Sequence, residues 1–240
     1  MKSTIEWKTT LLWVTVFSIA MGYLESAVVI YLREIYYPGG FDFPLGPLNG
    51  EIVMAEIGRE LATLVMLLSL GILAGKNRAQ RFAYFIYSFA IWDIFYYIFL
   101  KILIGWPDSL MTWDVLFMLP LIWVGPVISP LIVSATMIVL AFIILIIKSS
   151  GLPLVINRYT WSFFIIGSLI LILSFVWDYS AYILENITIK ELFTASDHKD
   201  LGEMANGFKP KKFNWTLFVI AELTISAGIF LILVSRNKKK

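Results

Sequence analysis

PVISPLIVSATMIVLAFIILII, residues 126–147, runs for twenty-two positions without an Asp, Glu, Lys or Arg. As an α-helix rising about 1.5 Å per residue it is about 33 Å long, enough to cross the roughly 30 Å hydrocarbon core of a bilayer. Pro126 and Pro130 fall at its start, where a missing N–H costs nothing. Outward from this stretch lie five more apolar windows of similar length, at about 9–32, 52–75, 82–105, 160–184 and 217–234. The chain is 59% hydrophobic and 15% charged, whereas soluble domains are nearer a quarter charged. The expected fold class is therefore an all-α integral membrane protein, a bundle of six transmembrane helices forming a single transmembrane domain over 1–240.

The connections set the orientation. Lys2 and Lys8 precede the first window, Lys76, Arg78 and Arg81 separate the second from the third, Lys148 and Arg158 separate the fourth from the fifth, and Arg236, Lys238, Lys239 and Lys240 follow the sixth. Six crossings put all four segments on one side, which the positive-inside rule makes the cytoplasm. The expectation is a multi-pass cell-membrane protein with both termini cytoplasmic. Lys2 and Lys8 before an apolar run also have the outline of a signal peptide, but Glu6 interrupts the basic region and the run continues past Val29, so the first window reads as an uncleaved span.

Residues 110–125 are apolar but short, and they carry Asp114 and Pro120. Counting them as a span would move the basic C-terminus to the outside. With Asp108 and Ser109 as a cap and Trp106, Trp113 and Trp123 at headgroup depth, the segment 108–120 is expected to form a short interfacial or re-entrant helix between spans three and four. The Gly- and Pro-rich run 37–46 reads as an irregular outer loop able to serve as a lid. The loop 185–215 is long, has mixed charge, and overlaps two glycosylation tripeptides, Asn186 to Thr188 and Asn214 to Thr216.

Function has to come from residues that lipid would reject. An Asp or Lys at mid-bilayer costs about 2.5–3.5 kcal/mol on insertion scales. The windows nevertheless contain Glu25, Glu56, Arg59, Glu60, Asp93, Lys101, Asp178 and Glu222, mostly in the outer half of the expected bundle. Helical spacing groups them into stripes: Glu56, Glu60 and Thr63; Asp93, Tyr97 and Lys101; Ser174, Asp178 and Tyr182; Glu222 and Ser226. Turned inward, the stripes line one outward-opening, carboxylate-rich pocket. Glu25, Glu60, Asp93 and Asp178 are the acid/base candidates, and Arg59, Tyr97, Lys101 and Glu222 the substrate-binding candidates. The bland alternatives are that Lys101 snorkels, that Glu56 complements its helix dipole, and that Arg59 with Glu56 or Glu60, and Lys101 with Asp93, are structural ion pairs.

With Cys absent and His198 the only His, no thiolate, haem or His-cluster metal site is expected, while a hard cation such as Mg²⁺ or Ca²⁺ on carboxylates stays open. The small net charge of +2, placed at helix ends, is no nucleic-acid footprint. The expected partners are the lipid bilayer, a lipid-soluble ligand, and a protein docking on the 185–215 loop. Three functions fit: a membrane-embedded enzyme or binding protein for a lipid-soluble or outer-leaflet substrate, a small proton- or cation-coupled transporter or channel, or a non-enzymatic subunit or assembly factor.

Overall fold

The computed structural model describes residues 2–46, 50–119, 121–154, 156–186 and 207–237. Among them are six long helices, α1 (Lys2–Tyr36), α2 (Gly50–Ala74), α3 (Arg78–Ile104), α4 (Ile128–Ser149), α5 (Arg158–Asn186) and α6 (Trp215–Asn237). Two short strands, β1 (Trp113–Phe117) and β2 (Trp123–Pro126), lie between α3 and α4. All six helices are long and apolar enough to span a bilayer, so the chain is a polytopic membrane protein. Their outer faces fit that solvent: Leu73 is 85% exposed and Ile102 70%, within a surface of Leu, Ile, Phe and Trp that water would not tolerate. Most of the 185–215 loop, with His198, lies outside the described residues.

α3 is the hub, packed against α1, α2 and α4; α5 and α6 form a pair that joins the rest through α4 and β2. Small residues allow the close crossings. A Cβ on Gly22 would sit 3.0 Å from the Trp92 carbonyl oxygen, and beside it Ser26 donates to the Tyr96 carbonyl at 3.0 Å, tying α1 to α3. A Cβ on Gly71 would fall 2.7 Å from the Arg81 carbonyl oxygen, so the Gly71–Gly75 pair packs α2 against the start of α3.

The expected short helix over 108–120 is corrected by the structure: this segment leads into an antiparallel hairpin pairing Trp113 with Pro126, Asp114 with Gly125 and Val115 with Val124. Three physical reasons favour strand. Trp113, Val115, Phe117, Ile122, Trp123 and Val124 are β-formers; Pro120 stands in the middle of the run and cannot continue a helix; and the backbone finds partners elsewhere. The Met118 N–H donates to both oxygens of Glu60 on α2, at 3.0 Å each. Val127 and Ile128 donate back to the Thr112 and Leu110 carbonyls at 3.0 and 2.8 Å. Non-helical backbone survives beside lipid only with such internal partners.

A buried ion pair anchors the hairpin. Arg33 Nη2 lies 3.2 Å from Asp114 Oδ1, and the Tyr97 hydroxyl donates to Asp114 Oδ2 at 3.2 Å. Burial pushes the Asp114 carboxyl up from its ordinary 3.8 to about 6, against the opposing pull of Arg33 and of the Tyr97 hydroxyl.

Two outcomes follow from these contacts. Gly71→Ala should lower thermal stability in detergent by about 1–3 kcal/mol through overpacking against backbone. Gly58→Ala in the same helix, where a new Cβ meets nothing within 4 Å, should be neutral or stabilising by up to about 1 kcal/mol; equal losses at both sites would contradict the packing. For Asp114 the folded value lies above the unfolded one, so the folded chain takes up this proton first as pH falls. The group therefore favours folding progressively from about pH 6 down to pH 4 and weighs against it by a constant amount above pH 6, on the order of 2–3 kcal/mol. The melting-temperature difference between wild type and Asp114→Asn should shift in favour of wild type on acidification through that window. Parallel pH profiles would show that Asp114 does not titrate there.

Candidate functional site

Each helix around the hairpin presents one face to a common cavity of about 720 Å³. The spacing is helical in every case: Glu25, Val29, Leu32, Arg33 and Tyr36 on α1; Glu56, Arg59, Glu60 and Thr63 on α2; Phe89, Trp92, Asp93, Tyr96 and Tyr97 on α3; Pro130, Val133, Ser134 and Met137 on α4; Leu171 and Phe175 on α5. The hairpin supplies one further wall through Asp114 to Leu119, with Trp123. Tyr37, Phe41 and Leu45 roof it. The roof is tied down where Leu45 N–H donates to the Phe208 carbonyl and Gly207 N–H to the Leu45 carbonyl, both at 3.0 Å. The run 37–46 thus lies over the cavity, where a lid would be.

Depth is shared as well. Glu25, Glu60 and Asp93 lie ten or eleven residues from the hairpin-side ends of their helices at Tyr36, Gly50 and Ile104, about 15–17 Å along the axis. α1 ends four residues beyond the expected span, which sets Glu25 deeper than the sequence reading placed it.

The charges on the walls fall into a paired set and an unpaired set. Arg59 is held between Glu25, with which it forms an ion pair, and Glu56, reached by Nε at 2.9 Å and Nη2 at 2.7 Å. Thr63 Oγ1 donates to Glu25 at 3.4 Å. Arg33 pairs with Asp114, and its guanidinium lies 3.7 Å from the Trp106 ring centroid and 4.6 Å from that of Phe41. Among the described residues Glu60 and Asp93 form no direct ion pair, although Arg59 lies near enough to Glu60 to attract its charge. Glu60 accepts the Met118 N–H, and Asp93 accepts from Ser134 Oγ at 2.8 Å. Five acids thus line the cavity against two bases, and both bases are already engaged by acids. The wall also holds polar hydrogens without a protein acceptor. Tyr36 OH, the indole N–H groups of Trp92 and Trp123, and Arg33 Nη1 are buried with no hydrogen-bond partner among the described residues. Among those residues no three carboxylates or imidazoles converge closely enough to share a metal ion, so the Mg²⁺ or Ca²⁺ alternative has no ligand set there.

Of the eight residues singled out by sequence, the structure brings Glu25, Arg59, Glu60, Asp93 and Tyr97 to the cavity and leaves three away from it. Lys101 is exposed and caps its own helix, donating to the Gly105 and Pro107 carbonyls at 2.7 and 2.9 Å, so it pairs with no acid. Asp178 accepts the Lys211 N–H at 2.8 Å and pins the segment after the 187–206 stretch to α5. Glu222 accepts from Thr136 at 2.7 Å and joins α6 to α4. Sequence reasoning missed Arg33, Asp114 and Ser134 as wall residues. Arg33 was findable, since it stands eight positions after Glu25 on the same helical stripe; Asp114 and Ser134 depend on the hairpin and the α3–α4 contact, which no local pattern announces. Comparison with known proteins adds no assignment to this geometry: no protein-family model, no curated protein and no solved structure matches the chain.

Proposed function

We propose that this membrane protein binds a lipid-soluble molecule in the cavity between its helices, at the extracytoplasmic end of the bundle. The cavity carries the proposal. Ligand pockets of roughly 300–1,000 Å³ with apolar walls and a few convergent polar groups are the usual form of a small-molecule site, and this one is about 720 Å³ with such a wall. Glu25, Arg59, Glu60 and Asp93 sit within apolar helices long enough to span the bilayer, where ionisable side chains are costly and are functional candidates by default. α2 forms one side of the cavity, packs mainly on α3 and is joined to α1 chiefly through the polar contacts of Arg59 and Thr63 with Glu25. If the bound molecule is also transformed, Glu60 and Asp93 are the acid and base for it, because neither is committed to an ion pair.

The transport reading has less support. The wall includes Thr63, Leu64, Phe89, Trp92 and Met137, and Trp92 and Phe89 pack on with Met21, Leu67 and Phe85 as an apolar cluster. Towards the basic end the described polar side chains bond within the protein, Thr15 with Tyr87, Ser18 with the Val14 carbonyl and Ser88 with the Phe85 carbonyl. A partner-binding role for the 185–215 loop rests on residues outside the described set.

Two measurements test the proposal. Purified protein extracted with organic solvent should release a co-purifying lipid-soluble species at about one per chain by mass spectrometry. Val133→Trp, which fills the cavity from α4, should release little while remaining monodisperse; a well-folded wild type that carries nothing and binds no hydrophobic probe would count against a ligand site. For orientation, the absence of cysteine gives a clean background. Gly39→Cys, at an exposed position in the roof loop, should react with a membrane-impermeant maleimide on intact cells. Ser150→Cys, exposed after α4, should react only after permeabilisation, and the reverse pattern would invert the topology.

A further inference from the structure

We infer that the molecule held in this cavity is a lipophilic organic cation. The inference rests on the binding reading above and adds the sign of the ligand's charge. The charge of each cavity arginine is already countered, that of Arg59 by Glu25 and Glu56 and that of Arg33 by Asp114, and Lys101 lies outside. An anionic head group would find one unbonded donor, Arg33 Nη1, but would face five acids against two bases among the described lining residues. Asp93, by contrast, is satisfied only by the neutral Ser134 hydroxyl, and Glu60 accepts the Met118 N–H and shares Arg59 with two other acids, so a positive charge entering the cavity finds carboxylates in excess.

The ring content of the wall points the same way. Phe89, Trp92, Tyr96 and Tyr97 flank Asp93 on α3, and Phe117, Trp123 and Phe175 also line the cavity. Aromatic faces attract cations, most strongly when both are out of water. The chain already uses this chemistry at the edge of the site, where Arg33 lies between Phe41 and Trp106. A small hard ion is a poor fit, because no three carboxylates converge among the described residues and the space far exceeds what an ion needs. Trp92 adds an independent requirement. It is only 7% exposed, it lines the cavity, and its indole N–H has no partner. Such a donor is costly to leave unmade, and a hydrogen-bond acceptor on the ligand satisfies it. The expected occupant is therefore a bulky amphiphile with a positive centre and an oxygen acceptor set in an apolar body.

Tetraphenylphosphonium and tetraphenylborate test the charge directly, since they share a shape and differ in sign. Each is titrated into the full chain in a non-ionic detergent, with tryptophan fluorescence as the readout and Val133→Trp as the control for partition into micelles. Saturable phosphonium binding at least about 100-fold tighter than borate binding is expected. Asp93→Asn should weaken it about tenfold, and so should Glu60→Gln, whose remaining amide oxygen can still accept the Met118 N–H, with both variants monodisperse. Borate binding as tight as phosphonium, or phosphonium binding indifferent to both substitutions, would overturn the cation assignment while leaving the cavity a ligand site. If neither ion binds, the assignment also fails; a co-purifying lipid-soluble species would then still uphold the cavity, and its absence would remove both readings.

Discussion

A charged side chain on a helix surrounded by lipid has few places to go. Facing outward costs a few kcal/mol for each group, so charges turn towards protein, water or one another. In this chain that constraint acts on five acids and two arginines at once, and it is met by gathering them on one side of α1, α2, α3 and the hairpin. The outer faces are then free to be uniformly apolar. The cavity follows from the same constraint, because side chains that must keep solvated or paired heads hold the helices apart where they meet.

The hairpin is the second half of the solution. Extended backbone at one end of a helical bundle has donors and acceptors that lipid will not satisfy. β1 and β2 satisfy each other, and the turn beyond β1 is satisfied by Glu60 through the Met118 N–H. Glu60 therefore holds a backbone donor and stands at the cavity wall at the same time. Arg33 also serves two ends, pairing with Asp114 on β1 while its guanidinium lies against the Phe41 and Trp106 rings. Truncating either side chain would change both the shape of the wall and its charge, so the two are coupled at these positions.

The spans were readable in the sequence because hydropathy over about 20 residues needs no knowledge of partners. The inward stripes of Glu25, Glu60 and Asp93 were readable for the same reason, since a 3.6-residue period gives direction around a helix. Periodicity fails where a local backbone competes for the side chain. Lys101 lies in the last turn of α3, and the Gly105 and Pro107 carbonyls just beyond the helix take its ammonium group. Asp178 is claimed by the N–H of Lys211, far along the chain. The segment 110–125 was misread because an apolar run of that length fits a helix or a strand equally well; the partners that decide it, Arg33 and Glu60, lie on other elements.

Pairing decides what the cavity can hold. Had the seven wall charges balanced, with each acid against a base, the site would be a structural clamp with little to offer a ligand. They do not balance, and the excess falls on Glu60 and Asp93, which lie at a shared depth on neighbouring helices and are hydrogen-bonded by a backbone amide and a serine hydroxyl. Two carboxylates in a low-dielectric space, ringed by aromatic faces, must take up protons or a positive partner. Protons alone would satisfy their charge but would leave the indole of Trp92 and the hydroxyl of Tyr36 without acceptors. A single ligand with a cationic centre and an oxygen acceptor answers both demands, and for that reason the unpaired acids and the unpartnered donors are better explained together than apart.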